Sequence, residues 1–446
     1  QQTAHTYDGP VRIRNVHVFD PATLQTGPLS SVVLYRDRIT TVEPDGAPAV
    51  TDGETIIDGQ GGTLVTGMHD MHAHVSAWDG PLLIAGGVTT VRDLGNNNVN
   101  LQAMIRSIDS GALIGPHIIP SGFIEGRSPY SARDGIVIAT QDEGLRAVRW
   151  YADRGYNQIK IYNSMNPAFV ASLAAEAHRL GLRVVGHVPA FATPDQMIEA
   201  GYNEITHVNQ LMLGWLLKPG EDTRTPLRLT AMARAADLDL NSMPVQHTLD
   251  LMRQHNVGWD TTISIVEQLM MSRAGEVPAN AAAYIDHLPI GVQRYKKRSY
   301  INFKDDAEKA TYDTAFHKAL ATMALFHNAG IKLWPGTDAA NGFTLHRELE
   351  LYMQAGMSAA VALRIATYDC DAYLGRDQNF GTIARGKQAD FFLVPGDPSK
   401  DLSQLDKIRM VVKGGTIYYP SEIYQAYGIT PFAPPPPVVA ASGDAK

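Results

Sequence analysis

Cysteine is nearly absent from this chain: Cys370 is the only one among 446 residues. A single thiol excludes an internal disulfide bond and any cluster of cysteine metal ligands. Positive charge is not in excess either, because 38 lysines and arginines face 46 aspartates and glutamates, a formal net charge of −8. Such a surface would not attract a nucleic acid or an anionic membrane. No apolar run is long enough to span a bilayer, so we expect neither a nucleic acid nor a membrane as a partner.

The composition is otherwise that of an ordinary soluble globular protein, with 44% hydrophobic and 19% charged residues. The length suggests two to three domains, or one barrel with an accessory domain. The chain begins at Gln1 rather than Met, as a mature protein does after removal of a signal peptide. We therefore expect a periplasmic or secreted protein, although a trimmed chain would look the same and a cytoplasmic location stays open.

Both ends of the chain carry β patterns that lack helical partners. Apolar and polar side chains alternate in several short runs, which indicates half-buried strands. These runs are residues 11–18, 31–35, 38–42 and 54–57 near the start and residues 391–394 and 408–418 near the end. We predict that residues 11–66 and 380–420 form one composite β-sandwich domain. A proline-rich segment at 430–446 is predicted to be a disordered tail.

The middle of the chain alternates short strands with helical patterns. Eight strands are predicted, at residues 68–75, 87–93, 117–120, 158–162, 182–187, 204–207, 258–264 and 331–338. Alternation of this kind favours an α/β fold, in particular a (β/α)8 TIM-type barrel over residues 67–379. A doubly wound open sheet is the structural alternative.

Six residues that can bind metal fall at the carboxyl ends of these predicted strands, where barrel enzymes place their catalytic groups. They are His72, His74, Lys160, His187, His207 and Asp338. His72 and His74 are two residues apart, so an extended strand turns both imidazoles to one side. Each residue has an ordinary alternative, such as a core histidine, a lysine reaching solvent or an aspartate capping a helix. Their coincidence at the correct strand ends favours one joint metal site.

Lys160 is the informative member of this set. A lysine ammonium cannot bind a cation and would repel one. Desolvation beside a metal would favour the neutral amine, which could react with carbon dioxide to give a carbamate. That carboxylate could bridge two divalent ions, so four histidines, Asp338 and the modified Lys160 would satisfy a binuclear site, most readily one for zinc.

The motifs around these residues resemble those of the amidohydrolase superfamily, in its binuclear class with a carbamylated lysine. The matching pieces are Asp70-Met71-His72-Ala73-His74, Gln158-Ile159-Lys160-Ile161-Tyr162, Gly186-His187, Thr206-His207, Gly336-Thr337-Asp338-Ala339, Gly381-Thr382-Ile383 and Gly386-Lys387-Gln388-Ala389-Asp390. The resemblance covers roughly residues 11–420. Within the superfamily the chain most resembles the imidazolonepropionase-related branch, which holds prolidase-like dipeptidases and ochratoxinase-type amidases.

The resemblance implies a ligand set and a reaction. His72, His74 and Asp338 would hold one metal ion, His187 and His207 the other, and N6-carboxylated Lys160 would bridge them. The implied reaction is metal-assisted hydrolysis of an amide, with Asp338 as general base and then acid. His69 departs from the family, which usually has an aliphatic residue there, and we do not count it as a ligand.

The substrate is less clearly encoded, because specificity lies in loops. A small substrate bearing a carboxylate suits the branch, such as a dipeptide, an N-acyl amino acid or an ochratoxin-like amide. A cyclic-amide hydrolase or deaminase on the same scaffold and a catalytically silent binding protein are the alternatives.

Several residues are candidates for substrate contacts. Tyr162 and His247 could donate to the developing oxyanion, and His346 lies in a motif, His346-Arg347-Glu348-Leu349, that fits the same branch. The oversized segment 267–310 is either a solvated loop or a lid whose Lys296 and Arg298 meet an anionic group. The run 211–228 could form part of the rim, and we expect a homo-oligomer.

Overall fold

The computed structural model describes residues 3–47 and 53–439 of the chain. In these residues the strands are, in chain order, β1 (Ala4–His5), β2 (Val11–Asp20), β3 (Gln25–Thr26), β4 (Ser30–Tyr35), β5 (Arg38–Pro44), β6 (Thr55–Thr66), β7 (Met68–Ala73), β8 (Val88–Asp93), β9 (His117–Pro120), β10 (Gly122–Gly126), β11 (Ile136–Ile138), β12 (Gln158–Ile161), β13 (Arg183–Gly186), β14 (Glu204–Thr206), β15 (Gly258–Asp260), β16 (Leu333–Trp334), β17 (Phe391–Val394), β18 (Met410–Lys413), β19 (Thr416–Tyr418) and β20 (Val438–Val439).

Strands from the two ends of the chain pair in one ten-stranded sheet. Its order is β1-β19-β18-β17-β6-β2-β4-β5, with β3 against β2 and β20 against β6. β6 joins the two ends, since it runs parallel to β2 and antiparallel to β17. Ile13 and Ile57, which are paired in register, are both fully buried, as the alternating pattern requires. The sandwich and the division of the chain into domains stay predictions.

The segment after residue 430 differs from the predicted disordered tail. β20 pairs antiparallel with β6, and the carbonyl of Pro437 accepts a hydrogen bond of 2.9 Å from the backbone N–H of Asp58. The Arg409 guanidinium donates to the carbonyl of Pro434 across 3.2 Å. Proline lacks an N–H but keeps its carbonyl, so this segment binds mainly as an acceptor. The prediction of disorder is wrong for residues 431–439, and residues 440–446 lie outside the described residues.

The strands of the central region are all parallel. They form a three-stranded sheet, β7-β8-β9, and a seven-stranded sheet, β11-β10-β12-β13-β14-β15-β16. The third predicted strand, residues 117–120, is β9, which pairs with β8. β10 and β11 were not predicted, and β10 pairs with both β11 and β12. Ile159 and Ile161 join the main apolar core, as expected for side chains that face the surrounding helices.

Backbone hydrogen bonds connect the two parallel sheets on both sides. Ser121 N–H donates to the carbonyl of Asp93 across 2.9 Å. On the other side, Met71 N–H donates to Pro335 O across 2.8 Å, and Asp338 N–H donates to His72 O across 2.7 Å. The first and last parallel strands therefore lie side by side, and their carboxyl ends meet.

Helices follow most of the parallel strands. They are α1 (Gly80–Ala85), α2 (Asn98–Asp109), α3 (Gln141–Ala152), α4 (Pro167–Arg179), α5 (Pro194–Glu199), α6 (Val208–Leu216), α7 (Leu227–Thr230), α8 (Met243–His255), α9 (Ile263–Met271), α10 (Ile290–Lys296), α11 (Asp306–Asn328), α12 (Gly342–Gln354), α13 (Ala359–Arg364), α14 (Cys370–Tyr373) and α15 (Pro420–Ala426). Short 3₁₀ turns lie at Ala231–Asp237, Ala279–Ala281, Ile285–His287 and Leu402–Lys407, and a π-turn lies at Ile365–Asp369. Within the described residues no helix combines the length and apolar character needed to cross a membrane.

Local sequence explains where several of these helices begin and end. Thr193 accepts from the backbone N–H of Gln196, whose side chain binds back to Thr193, so a capping box starts α5. α9 begins three residues after β15, because Thr262 adopts a left-handed φ of 42° and turns the chain out of the sheet. The predicted strand 258–264 is therefore wrong beyond Asp260. The segment 267–310 contains the end of α9, two 3₁₀ turns, α10 and the start of α11.

Candidate functional site

A cavity opens where the parallel strands end. Its polar lining consists of His72, His74, Tyr162, His187, His207, Asn209, Gln210, Arg228 and Asp338. Its apolar wall consists of Leu229, Met232, Ile265, Val266 and Leu269. Lys160 lies directly beneath, with its Nζ 3.3 Å from Nε2 of His72. The structure thus brings all six predicted metal-binding residues to one place.

Tight backbone geometry places two of these residues. His207 and Asp338 have φ values of 67° and 53°, in the left-handed region that non-glycine residues seldom adopt. Gly336 allows the close approach of neighbouring strands, because a Cβ there would lie 2.5 Å from Cβ of His72 and 2.6 Å from Oδ1 of Asp260. Strain of this kind is tolerated where the surrounding structure fixes a functional side chain.

The four histidines share one hydrogen-bonding pattern. Each has its Nδ1 2.6 Å from an oxygen that can accept a hydrogen bond. The pairs are His72 with Asp260 Oδ2, His74 with Gly95 O, His187 with Asn163 Oδ1 and His207 with Thr262 Oγ1. A proton assigned to Nδ1 on this basis leaves Nε2 of His72, His187 and His207 with a free lone pair, whereas Nε2 of His74 lies 3.1 Å from Asp338. An imidazole oriented in this way is ready to bind a metal ion through Nε2.

Burial keeps most of these imidazoles neutral. Loss of hydration lowers the pKa of His72 and His187 well below the usual value, and it lowers the pKa of His207 to about 3. His74 differs. Burial alone would lower its pKa, but the 3.1 Å hydrogen bond from Nε2 to Asp338, the charge of Asp338 and the charge of Asp93 together raise it. In turn, His74 helps to lower the pKa of Asp338 to about 2, although burial alone would raise it. Three neutral imidazoles and an ionised carboxylate therefore face the cavity.

Lys160 is almost fully buried, with 1% of its surface exposed. Burial lowers the pKa of its ammonium to about 8, and the charges of Asp338 and Asp260 oppose this change. The amine is then neutral in a larger fraction near neutral pH than an exposed lysine is, and the neutral amine is the form that reacts with electrophiles.

These residues fit a divalent metal ion. His72, His207 and Asp338 each offer one ligand atom, and the three atoms lie within 4.8 Å of one another. Two imidazole nitrogens and one carboxylate oxygen form a donor set that zinc accepts. The His187 and His207 rings are 4.7 Å apart between centroids, so a further imidazole borders the same space.

Arg228 is a cavity residue that the sequence did not single out. It lies on the short helix α7, and its positive charge acts on Tyr162, His187 and His207. The sequence signal for it is weak, since the run 211–228 was predicted only as part of the rim. Tyr162 does line the cavity, where its ring packs against His187 with centroids 4.3 Å apart.

The other predicted substrate contacts lie elsewhere. His247 is exposed on α8 near Asp195, and His346 is buried with its Nε2 2.8 Å from the carbonyl of Gly86. Lys296 covers the ring of Tyr284. Arg298 is exposed and stacks on Tyr295 and Tyr300. None of the four lines the cavity among the described residues.

His69 also lies apart from the cavity residues. Its Nε2 is 2.9 Å from Asp371 and its Nδ1 is 3.2 Å from the carbonyl of Ala366, with both side chains of the pair buried. Both ring nitrogens are thus engaged by protein oxygens, which agrees with leaving His69 out of the ligand set.

A model of the amidohydrolase family matches residues 82–418, more than half of the chain. The chain belongs to the amidohydrolase family. It is therefore a hydrolytic enzyme, as the sequence motifs predicted. A comparison of this chain with curated proteins finds no significant match.

Solved structures similar to this amidohydrolase include three enzymes at low sequence identity. A Xaa-Pro dipeptidase with bound methionine has a TM-score of 0.66 and 20% identity, over 92% of this chain and 100% of the other. Bottromycin amidohydrolase has a TM-score of 0.67 and 19% identity, over 97% and 92% of the two chains. The A. niger ochratoxinase has a TM-score of 0.63 and 16% identity, over 94% and 96%. At such identities the likeness supports the α/β fold of the TIM-barrel type and nothing finer.

Proposed function

We propose that this amidohydrolase cleaves the amide C–N bond of a small substrate that bears a carboxylate. One observation carries the proposal: four imidazoles whose Nδ1 atoms are occupied turn towards one cavity that also holds Asp338 and covers Lys160. A catalytically silent protein has no physical reason to keep three buried imidazoles and a buried lysine converging on one space.

The proposed cofactors are two divalent metal ions, most readily zinc. His72, His74 and Asp338 would hold one ion, His187 and His207 the other, and a carboxylated Lys160 would bridge them. When bound, such ions polarise a carbonyl and make water a better nucleophile at neutral pH. The lowered pKa of Lys160 supports its carboxylation, because only the neutral amine can attack carbon dioxide.

Asp338 and Tyr162 provide the proton transfer and oxyanion chemistry in this proposal. The Asp338 carboxylate, ionised because its pKa is low, accepts a proton from the attacking water and returns it to the leaving nitrogen. The Tyr162 hydroxyl, raised in pKa by burial, stays protonated and can donate to the developing oxyanion.

The cavity also favours a substrate with a carboxylate and an apolar group. Arg228 supplies a permanent positive charge, and its guanidinium is the group that best matches a carboxylate. The wall formed by Leu229, Met232, Ile265, Val266 and Leu269 offers an apolar surface. A dipeptide, an N-acyl amino acid or an ochratoxin-like amide has both features.

The same proposal includes the finer architecture. Eight parallel strands would close a (β/α)8 barrel, supported by the hydrogen bonds from Met71 to Pro335 and from Ser121 to Asp93. The ten-stranded sheet would form the composite β-sandwich domain. The periplasmic or secreted location and the homo-oligomer remain predictions from the sequence.

The test is a liquid-chromatography screen of dipeptides, N-acyl amino acids and ochratoxin-like amides with zinc-loaded protein of measured metal content. We expect at least one class to be hydrolysed, the activity to disappear on chelation and to return with zinc. Asp338→Asn should keep the fold, judged by circular dichroism, and lose at least about a hundredfold in kcat. Metal-loaded protein that cleaves no amide, or an Asp338→Asn variant of full activity, would refute the proposal.

A further inference from the structure

Two exposed aromatic side chains flank one arginine near the cavity. The Arg224 guanidinium lies 5.1 Å from the ring centroid of Tyr130 and 5.3 Å from that of Phe191. Tyr130 is 55% exposed and Phe191 is 62% exposed. Exposed aromatic rings that are already ordered by a cation are suited to stack with a further planar group.

The backbone of Phe191 is strained. Its φ of 67° lies in the left-handed region, which a bulky residue without a turn-forming side chain seldom adopts. The exposed ring gains little from burial in the fold. Strain at a residue whose side chain does not stabilise the core is typical of a functional position.

The loop that carries Phe191 is fixed by Asn163, which also orients a histidine of the cavity. The backbone N–H of Ala190 donates to the carbonyl of Asn163 across 2.9 Å. The side chain of the same Asn163 accepts the Nδ1 hydrogen bond of His187. The position of Phe191 is therefore coupled to that of a cavity imidazole only four residues away.

Arg224 is held in one orientation by a neighbouring carboxylate. Its Nε donates to Oδ1 of Asp222 across 2.9 Å, and its Nη2 donates to Oδ2 across 2.7 Å. A bidentate pair of this kind fixes the guanidinium plane. Arg224 also lies four residues before the cavity residue Arg228.

The loop of Tyr130 is likewise attached to the cavity. Oγ of Ser128 is 2.8 Å from Oγ of Ser164, which follows the cavity residue Tyr162 by two positions. The buried carboxylate of Glu125 accepts from the N–H of Ser164 across 2.8 Å and from that of Ala132 across 3.3 Å. Tyr130, Arg224 and Phe191 thus stand on three loops, each anchored beside a residue that lines the cavity.

We propose that Tyr130, Arg224 and Phe191 form a binding subsite for a planar aromatic group of the substrate, at the rim of the catalytic cavity. The group stacks on the open faces of the Phe191 and Tyr130 rings, while its amide reaches the cavity. That the bound group belongs to a substrate rests on the proposed function. The binding of an aromatic ligand can nevertheless be measured without turnover.

The test compares N-acetyl-L-phenylalanine with N-acetyl-L-cyclohexylalanine, which matches its size and charge but lacks a π system. Binding of both to the full chain is measured by isothermal titration calorimetry. We expect the aromatic ligand to bind about three- to tenfold more tightly. Phe191→Gly, which removes the ring and suits the left-handed backbone, and Tyr130→Ala should each bring this ratio close to one.

Tyr35→Ala is the matched control. The Tyr35 ring also stacks with an arginine, since its centroid lies 5.3 Å from the guanidinium of Arg36, but it lies on β4 of the ten-stranded sheet. This variant should leave the ratio unchanged. A ratio of one in the natural protein, a ratio that survives Phe191→Gly, or no binding of either ligand overturns the subsite. The proposed function fails by a separate result, namely no hydrolysis by the metal-loaded protein. That result does not change the ratio of the two binding affinities.

Discussion

The imidazole of His72 donates its Nδ1 proton to Oδ2 of Asp260 across 2.6 Å, and both side chains are fully buried. Asp260 is positioned in turn by Arg92, whose guanidinium lies 3.7 Å away and also pairs with Glu204. A carboxylate on Nδ1 fixes the tautomer and the ring orientation of a histidine that binds metal through Nε2. We therefore expect Asp260 to act on the proposed metal site through His72.

Replacing Asp260 by Asn should weaken metal binding about ten- to a hundredfold. The amide is neutral, and it can present either an oxygen or an N–H to Nδ1, so it no longer fixes the tautomer. The affinity is measured by competition with a chromophoric chelator. Asp371→Asn is the control, because that buried carboxylate pairs with His69 instead. Equal affinities for Asp260→Asn and the natural protein would show that the contact does not orient a ligand.

Lys160→Ala should reduce the bound metal from two ions per chain to one, since the variant has no group to bridge them. The number of ions per chain is measured by mass spectrometry after desalting. In the natural protein, ¹³C-bicarbonate should add one carbamate signal to the carbon NMR spectrum, and the variant should lack it. Lys296→Ala is the control, because Lys296 is partly buried and its pKa is also lowered by burial, but it lies outside the cavity. An unchanged metal content in Lys160→Ala would exclude the bridging role.

Arg228→Gln should raise KM for a carboxylate substrate about ten- to a hundredfold, the value of a charged hydrogen bond, with a smaller effect on kcat. The methyl ester of the same substrate, which lacks the charge, should respond far less. In the same assay, Lys296→Ala and Arg298→Ala test the alternative that segment 267–310 is a lid that binds the anionic group. If they raise KM while Arg228→Gln does not, the anionic group binds at the segment 267–310 instead.

The residues of the proposed metal site could be grouped from the sequence, because their relation to the strand ends is largely local. His72 lies in β7 and His74 directly follows the end of that strand, and a buried parallel strand places a polar residue at its end. The orienting partners were not predictable. Asp260 lies 188 positions from His72 in the chain, and no periodic pattern connects them.

Substrate contacts were harder to predict, because they depend on how loops pack. Arg228 reaches the cavity from a helix of four residues, whereas His247 follows the outward face of α8. Likewise, the proline-rich composition after residue 430 indicated disorder, yet Pro437 pairs with a strand that lies far away in sequence. Composition describes the local preference of a segment and carries no information on a distant surface that can bind it.

Glu348 gives a prediction for stability rather than activity. Burial raises the pKa of its carboxyl from the ordinary 4.5 to about 7, although hydrogen bonds from Thr261 and Ser264 oppose this change. The folded state then binds the proton more tightly than the unfolded chain does. The contribution to stability is full below pH 4.5 and is lost as the pH rises through 7. The difference between the two pKa values corresponds to about 3 kcal/mol.

Glu348→Gln removes the titration, so its free energy of unfolding should depend less on pH than that of the natural protein. Relative to this variant, the natural protein should lose about 3 kcal/mol between pH 4.5 and pH 8. Urea unfolding in the presence of a chelator, followed by circular dichroism, measures the difference. Glu350→Gln changes a partly exposed side chain on the same helix and should leave the curve parallel to the natural one. Parallel curves for Glu348→Gln would instead mean that its hydrogen bonds keep the carboxylate ionised in the folded state throughout this range.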